Sequence, residues 1–111
     1  LLDVDAVALE AARENVPGAT TRLTEGLPDP GGKPFDAIFS NPPFHRGKEE
    51  DPGLVLELIR GARVLLARGG VLVFVTQRRL GVEEEMTRAF QRATVLAEDP
   101  VFRVWEGRGP R

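Results

Sequence analysis

Hydrophobic residues along the chain follow two different periods, which predict alternating strands and helices. Four short stretches rich in apolar and β-branched residues predict strands: Leu1 to Val4, Thr20 to Leu23, Phe35 to Ser40 and Val71 to Thr76. The last of these is apolar at nearly every position, which is typical of a strand buried on both faces of a parallel sheet. We therefore expect a sheet that is covered on both sides.

Apolar residues at three- and four-residue spacing predict three helices, over Ala6 to Glu14, Gly53 to Ala67 and Val82 to Arg92. Asp5 is placed to cap the first helix. Arg68, followed by two glycines, ends the second helix with positive charge near the negative end of its dipole. The third helix is expected to bury one stripe of side chains, namely Val82, Met86, Ala89 and Phe90.

The C-terminal end predicts two more short strands, Thr94 to Ala97 and Val101 to Trp105, joined as a hairpin through Glu98 to Pro100. The whole order of elements is typical of an α/β sheet whose parallel strands are connected by helical crossovers. We predict this fold class for residues 1–111 as a single domain with a C-terminal antiparallel hairpin. In such sheets ligands bind beyond the carboxyl ends of the strands, so residues that directly follow a strand are the candidates for a site.

Composition narrows the class of protein. The chain has 111 residues, of which 41% are hydrophobic and 29% charged, as in a single globular domain. It has no Cys and one His, which excludes disulfides and thiolate sites, and we expect no bound metal. Its apolar runs are too short to cross a bilayer, so we expect a cytoplasmic protein without membrane contact. Its net charge is −2, so binding of a polyanion would depend on a local basic patch.

The most informative stretch for function is Asn41-Pro42-Pro43-Phe44, directly after a predicted buried strand. The prolines fix φ and remove two backbone donors, so they hold the Asn41 carboxamide and the Pro42 carbonyl as rigid acceptors. Two such oxygens can accept both hydrogens of one exocyclic amine, which suits a planar amine that acts as a nucleophile. Phe44 offers a face on which a base can stack, an interaction worth about 1–3 kcal/mol. The alternative is a turn in which Asn41 caps and the prolines end the strand.

Acidic residues follow two other predicted strands. Asp3 stands where nucleotide-binding α/β folds place an acid that accepts hydrogen bonds from ribose hydroxyls. It could equally complement the dipole of the helix that begins after it. Glu25 could accept a hydrogen bond from an adenine amine or be a solvated loop residue.

Basic residues flank the same end of the predicted sheet on two loops, with Arg46 and Lys48 on one and Arg78 and Arg79 on the other. They could hold phosphate groups or form a solvated charged surface. His45 has no adjacent carboxylate in the sequence, so we expect a substrate contact rather than a general base.

These segments together resemble the class I S-adenosylmethionine-dependent methyltransferases. The similar segments are Leu2 to Asp5, Phe35 to His45, and Leu58 to Ala62 leading into Gly69 to Leu72. The resemblance covers nearly the whole chain and is closest to the ribosomal RNA small-subunit methyltransferases that modify the N2 amine of guanine. The Asn-Pro-Pro-Phe string alone would also fit adenine amine methyltransferases, whereas His45 and the Ile-Arg-Gly-Ala helix favour the guanine group.

The resemblance implies a Rossmann-like class I methyltransferase sheet and S-adenosylmethionine as the cofactor. By this resemblance Asp3 would bind the cofactor ribose and Val4 would touch its adenine. Glu25 and Gly26 would lie along the adenine edge, and Asn41 would also lie against the cofactor.

The resemblance also implies a substrate, ribosomal RNA or the small ribosomal subunit. Asn41 and Pro42 would orient the target amine, with Pro43 as part of the same catalytic string. Phe44 would stack on the base, which must be flipped out of any paired region. The side chains expected to contact the RNA are Phe44, His45, Arg46 and Arg78.

The chain departs from that family in one respect. It contains no Gly-x-Gly-x-Gly turn and starts downstream of the strand that carries this turn in the family. That strand lies mid-sheet, between those ending at Asp3 and Ser40, so we expect two unpaired edges there. We interpret the chain as the C-terminal part of a longer methyltransferase, truncated at its N-terminus. The alternative is a non-catalytic methyltransferase-like module that contacts RNA or a protein through Phe44, His45 and the Arg-bearing loops.

Overall fold

Five strands form one mixed sheet in a computed structural model that describes residues 21–23, 34–40, 45–46, 49–50 and 52–111. A two-stranded ladder and two helices complete the described part of the chain. In chain order the elements are β1 (Thr21–Leu23), β2 (Phe35–Ser40), β3 (His45–Arg46), β4 (Glu49–Glu50), α1 (Pro52–Leu65), β5 (Leu66–Gln77), α2 (Glu83–Ala89), β6 (Phe90–Glu98) and β7 (Phe102–Pro110).

The order of strands in the sheet is β1-β2-β5-β7-β6. β1, β2 and β5 are parallel, whereas β7 is antiparallel to both of its neighbours. The carboxyl ends of the three parallel strands therefore meet at one edge of the sheet, which we call the carboxyl edge. It is defined by Leu23, Ser40 and Gln77, the last residues of these strands.

Side chains on both faces of the sheet are buried, which explains why its strands are apolar throughout. On one face Ile38, Leu72 and Phe74 belong to the core that also contains the buried side chains of α1 and α2. On the other face Ala37 and Val73 are each 1% exposed. The prediction of a doubly covered α/β sheet is confirmed.

Helix α1 confirms the predicted amphipathic helix with a small shift of its ends. It begins at Pro52, a position at which the backbone N–H that proline lacks would have no intrahelical partner. It buries the stripe of side chains that the spacing predicted. It ends at Leu65 rather than Ala67, because the next residue, Leu66, already pairs with Phe35 of β2. A bulge follows in which Gly69 has φ +79°, a conformation that favours glycine. Its buried residues are Val55, Leu58, Ile59, Ala62 and Leu65.

Helix α2 is shorter than the sequence predicts. It ends at Ala89, whereas periodicity predicted a helix as far as Arg92. Phe90 has an extended backbone, with φ −129° and ψ 148°, and starts β6 opposite Pro110 of β7. Its side chain is fully buried as predicted, but from a strand and not from a helix. The pairing partner is 20 residues away along the chain, so local periodicity could not identify the change.

The C-terminal hairpin is confirmed, and both of its strands are longer than predicted. β6 and β7 pair from Phe90 opposite Pro110 to Glu98 opposite Arg103. At the tip the Asp99 carboxylate accepts hydrogen bonds from the N–H groups of Val101 and Phe102, at 2.8 and 2.7 Å. This connection fixes the turn that the sequence placed at Glu98 to Pro100.

Two predictions fall on the N-terminal part of the chain. The strand from Leu1 to Val4 and the helix from Ala6 to Glu14 lie outside the described residues. The short strand near residue 20 is confirmed as β1, and it pairs in parallel with β2, Leu23 opposite Ser40. The expected unpaired edge of β2 is therefore wrong for the residues that β1 covers. In the described part of the chain, neither helix is long and apolar enough to span a bilayer.

Candidate functional site

The carboxyl edge brings together the points at which three strands lead into predicted site residues. β1 ends two residues before Glu25, β2 ends one residue before Asn41, and β5 ends one residue before Arg78. Open α/β sheets bind ligands at this edge, beyond the ends of their strands. The topology thus brings the strand ends that precede these separate motifs to one edge of the sheet.

Most of the predicted site residues lie outside the described residues. The structure does describe Ser40, the residue that precedes the Asn-Pro-Pro-Phe string, and it is only 5% exposed at the end of β2. The premise that this string directly follows a buried strand is therefore confirmed. The residues outside the described part are Asp3, Val4, Glu25, Gly26, Asn41, Pro42, Pro43 and Phe44.

The segment after that string forms a short antiparallel ladder. The backbone of His45 lies opposite Glu50, and that of Arg46 lies opposite Glu49. His45 has no adjacent carboxylate in the sequence, whereas the register places the acidic residue Glu50 opposite it. Two of the three substrate-contact candidates on this loop, His45 and Arg46, therefore form one strand, β3.

Arg78 is described in full and lies at the carboxyl edge. Its N–H donates to the carbonyl oxygen of Val101 at 2.8 Å, which links the end of β5 to the hairpin tip. Its guanidinium is 3.6 Å from the Glu98 carboxylate, and about half of the side chain is exposed. The predicted substrate contact is thus accessible, with an acidic neighbour that the sequence did not reveal.

Glu98 connects Arg78 to a second arginine, Arg103. The Arg103 Nε donates to Glu98 at 2.7 Å, and another of its guanidinium nitrogens donates to Glu83 at 3.1 Å. The side chain of Arg103 is 16% exposed, and its guanidinium carbon lies 5.8 Å from the centre of the Trp105 ring. This network joins the first turn of α2 to the turn end of the hairpin.

Sequence reasoning missed the role of this network. Glu98 was interpreted only as part of the hairpin connection, although its separation from Arg103 across a predicted hairpin could have indicated a cross-strand pair. Glu83 is 20 residues from Arg103 along the chain and carries no comparable signal. The prediction that Trp105 belongs to the core is confirmed, with 4% exposure.

The described residues are compatible with a nucleoside-bearing cofactor at the level of topology. Parallel strand ends lie side by side at the carboxyl edge, and the polar residues Ser40 and Thr76 near these ends are buried. Such an edge is where nucleotides bind in open α/β sheets. Within residues 34–40 and 52–111, no three His, Cys, Asp or Glu side chains form a group that could hold a metal ion.

These features define the class of the fold. Three parallel strands, of which β2 and β5 are connected through α1, and an antiparallel hairpin whose second strand lies between β5 and β6 form the sheet of a class I methyltransferase. More narrowly, the chain belongs to the methyltransferase small domain family, whose profile matches residues 1–106. The family resemblance stated from the sequence is confirmed.

Relatives of known activity include two ribosomal RNA methyltransferases. The chain is 38% identical over 107 residues to the ribosomal RNA small subunit methyltransferase C of Idiomarina loihiensis, which covers 93% of the chain and 32% of that protein. It is 36% identical over 110 residues to the ribosomal RNA large subunit methyltransferase G of Alcanivorax borkumensis, covering 94% of the chain and 28% of that protein. The chain thus spans about a third of the length of these relatives.

A solved structure supports the same fold. The chain is similar to a 16S rRNA guanine-N2 methyltransferase (RsmC) of T. thermophilus, determined in complex with AdoMet and guanosine. The TM-score is 0.58 at 26% sequence identity, and the match covers 69% of this chain and 20% of that chain. Both relatives and the solved structure are therefore longer proteins of which this chain matches one part.

Proposed function

We propose that the chain is part of an enzyme that transfers a methyl group from S-adenosylmethionine to the exocyclic amine of a guanine in ribosomal RNA. The observation that carries this proposal is the position of Ser40, buried at the end of a parallel strand, directly before Asn41 to Phe44. A rigid pair of oxygen acceptors at the carboxyl edge is what an amine nucleophile requires. The relatives named for methylation of ribosomal RNA support this substrate class, and a cytoplasmic location is part of the proposal.

In this proposal Asn41 and Pro42 accept the two hydrogens of the guanine amine and orient its nitrogen, while Pro43 keeps both acceptors rigid. Phe44 stacks on the flipped base. His45, Arg46 and Arg78 contact the RNA around it, with the arginines on its phosphates. These residues chiefly position the substrate, and positioning of two reactants can account for about 7–11 kcal/mol of barrier reduction.

The cofactor, when bound, supplies an electrophilic methyl group on a sulfonium. Asp3 would hold its ribose hydroxyls through a carboxylate, as acids at the end of such strands do. Val4, Glu25 and Gly26 would border its adenine, and Asn41 would lie between cofactor and base. The substrate amine then needs no general base of its own before attack, so in this proposal His45 contacts the substrate and has no catalytic role.

Replacement of Asn41 tests the proposal directly. In a form of the protein extended at its N-terminus, we expect Asn41→Ala to abolish methyl transfer to a guanine-containing RNA, measured with methyl-labelled S-adenosylmethionine, while the far-ultraviolet circular dichroism stays unchanged. Replacing the guanine by adenine in the same RNA distinguishes a guanine amine methyltransferase from an adenine amine methyltransferase. Normal turnover by Asn41→Ala would refute the assigned role.

One observation favours a second candidate, a methyltransferase-like module that binds RNA or a protein without catalysis. β1 pairs directly with β2, at the sheet position where the family has the strand of its Gly-rich turn. Calorimetry with S-adenosylmethionine on the 111-residue chain and on a form extended at its N-terminus separates the two. Binding by the extended form alone supports the enzyme, and binding by neither form supports the module.

A further inference from the structure

An exposed aromatic side chain stands at the carboxyl edge, beside the proposed guanine site. Phe102 is the first residue of β7, and its ring is 40% exposed although the strand continues into the core. Its partner in the register is Gln77, the last residue of β5. Since Ser40 pairs with Phe74, β5 extends three residues past the end of β2. At about 3.3 Å per residue, the pair of Gln77 and Phe102 stands roughly 10 Å beyond the end of β2.

A basic side chain is hydrogen-bonded to the residue that lies opposite Phe102 in the sheet. The Nε of Arg79 donates to the Gln77 side-chain oxygen at 2.8 Å, so Arg79 is tied to the residue directly opposite Phe102. In the part of the chain that the structure describes, Arg79 forms no ion pair, whereas Arg88 and Arg103 each have carboxylate partners. Its charge is therefore available to an anionic ligand.

The backbone that carries Phe102 is fixed before any ligand arrives. The Asp99 carboxylate accepts the N–H groups of Val101 and Phe102, and the carbonyl oxygen of Val101 accepts the N–H of Arg78. A ring presented from such a turn loses little conformational freedom on binding, and preorganisation of this kind favours affinity.

We propose that Phe102 and Arg79 bind the nucleotide next to the target guanine in single-stranded RNA, with its base stacked on the Phe102 ring and a phosphate on the Arg79 guanidinium. This inference rests on the proposed function, because it assumes an RNA substrate at the carboxyl edge. Stacking on an exposed aromatic ring together with arginine contacts to phosphates is how proteins bind unpaired RNA.

The surroundings of Phe102 favour RNA over a protein partner. Val101 is the exposed apolar neighbour on the same turn, at 56% exposure, and the side chains around the pair are polar or charged: Gln77, Arg78, Arg79 and Asp99. Val101 and Phe102 form a smaller apolar patch at this turn than a protein interface of useful size needs. Val95 and Leu96, which are also exposed, lie on β6. One exposed aromatic ring and one basic side chain fit the base and the phosphate of a nucleotide instead.

The position also separates this contact from the guanine site. β7 is two strands away from β2, so Phe102 lies about 10 Å across the sheet from the end of β2 as well as beyond it. A single base cannot fill both places. The nucleotide on Phe102 is therefore a different one from the nucleotide whose amine meets Asn41, and we assign it to the adjacent position in the strand.

Fluorescence anisotropy with an end-labelled single-stranded RNA that contains one guanine tests the inference. We expect Phe102→Leu, which keeps an apolar side chain but removes the ring, to raise the Kd by about 5- to 100-fold, and Phe102→Tyr to stay within about twofold of wild type. Arg79→Gln should lower the slope of log K against log salt by about 1. Matched controls are Val64→Ala on α1, where Val64 is 65% exposed, and Arg92→Gln on β6, and both should bind like wild type.

Several results would overturn the inference. The first is a Phe102→Leu variant that binds RNA as tightly as the wild type, and the second is a wild-type protein that binds no RNA. The third is a Phe102→Leu variant whose sedimentation changes while its RNA affinity does not. Failure of the proposed function can be distinguished from failure of this inference, because methyl transfer and RNA binding are measured in separate experiments. A protein that binds RNA through Phe102 and transfers no methyl group refutes the activity alone, and one that methylates RNA regardless of residue 102 refutes this contact alone.

Discussion

Glu98 and Arg103 lie opposite each other next to the turn of the C-terminal hairpin, and the Arg103 Nε donates to the Glu98 carboxylate at 2.7 Å. The same carboxylate is 3.6 Å from the guanidinium of Arg78. One acidic side chain thus links the two strands of the hairpin to the loop that follows β5. The carboxyl edge is held together by charge as well as by strand pairing.

A double-mutant cycle of Glu98→Gln and Arg103→Gln measures this link. Because Glu98 is more than a third exposed, we expect a coupling free energy below about 1 kcal/mol. It should shrink further at about 1 M salt, where screening is nearly complete. Urea denaturation of the four proteins at low and high salt provides the values. A coupling that is unaffected by salt would show that the pair is not held by charge.

The Asp99 turn gives a second prediction. Asp99→Ala removes the acceptor of two backbone N–H groups, which leaves them to water and should destabilise the protein by about 1–2 kcal/mol. Asp99→Asn keeps one side-chain oxygen and should lose less. Thermal unfolding followed by circular dichroism checks both, and equal stability of the alanine and asparagine variants would contradict the assignment.

Gly107 gives a third prediction, because it touches a buried ring. A Cβ built there would lie 2.5 Å from the ring of Phe90, which is fully buried and cannot move away. We expect Gly107→Ala to destabilise the protein by about 1–3 kcal/mol, as overpacking does. The matched control is Gly81→Ala, where the nearest atom is a side-chain oxygen of Glu83 at 3.4 Å. Similar unfolding midpoints for the two variants would refute the steric argument.

The contrast between α1 and α2 shows how far sequence patterns determine the fold. α1 has 14 residues and a continuous apolar stripe, so its periodicity located it to within two residues. α2 has seven residues, and its end depends on contacts from far along the chain. The N–H of Arg111 donates to the Ala89 carbonyl oxygen, and its Nε donates to that of Thr87. A local sequence pattern cannot predict that a residue at the C-terminus, Arg111, caps this helix.

The candidate site also has one feature that the sequence predicts and others that it does not. Its location at the ends of the parallel strands followed from the order of elements, because connections in such sheets obey a fixed handedness. Its electrostatic surroundings did not follow, since Glu98 reaches Arg78 only after β6 and β7 have paired. Phe102 was expected to be a strand residue, and its exposure depends on how far β5 and β7 extend past β2.

A final prediction joins this electrostatic link to the proposed substrate. Glu98 lies 3.6 Å from the exposed guanidinium of Arg78, so its negative charge opposes binding of a phosphate there. Removing one charge about 10 Å from a phosphate in water changes the binding free energy by about 0.4 kcal/mol, or roughly twofold in Kd. We therefore expect Glu98→Gln to tighten RNA binding about twofold at low salt, with the gain lost as salt rises. Glu84→Gln on α2 is the matched control, because it removes the same charge from a residue paired with Arg88. If both variants tighten binding equally, the effect comes from net charge and not from the contact with Arg78.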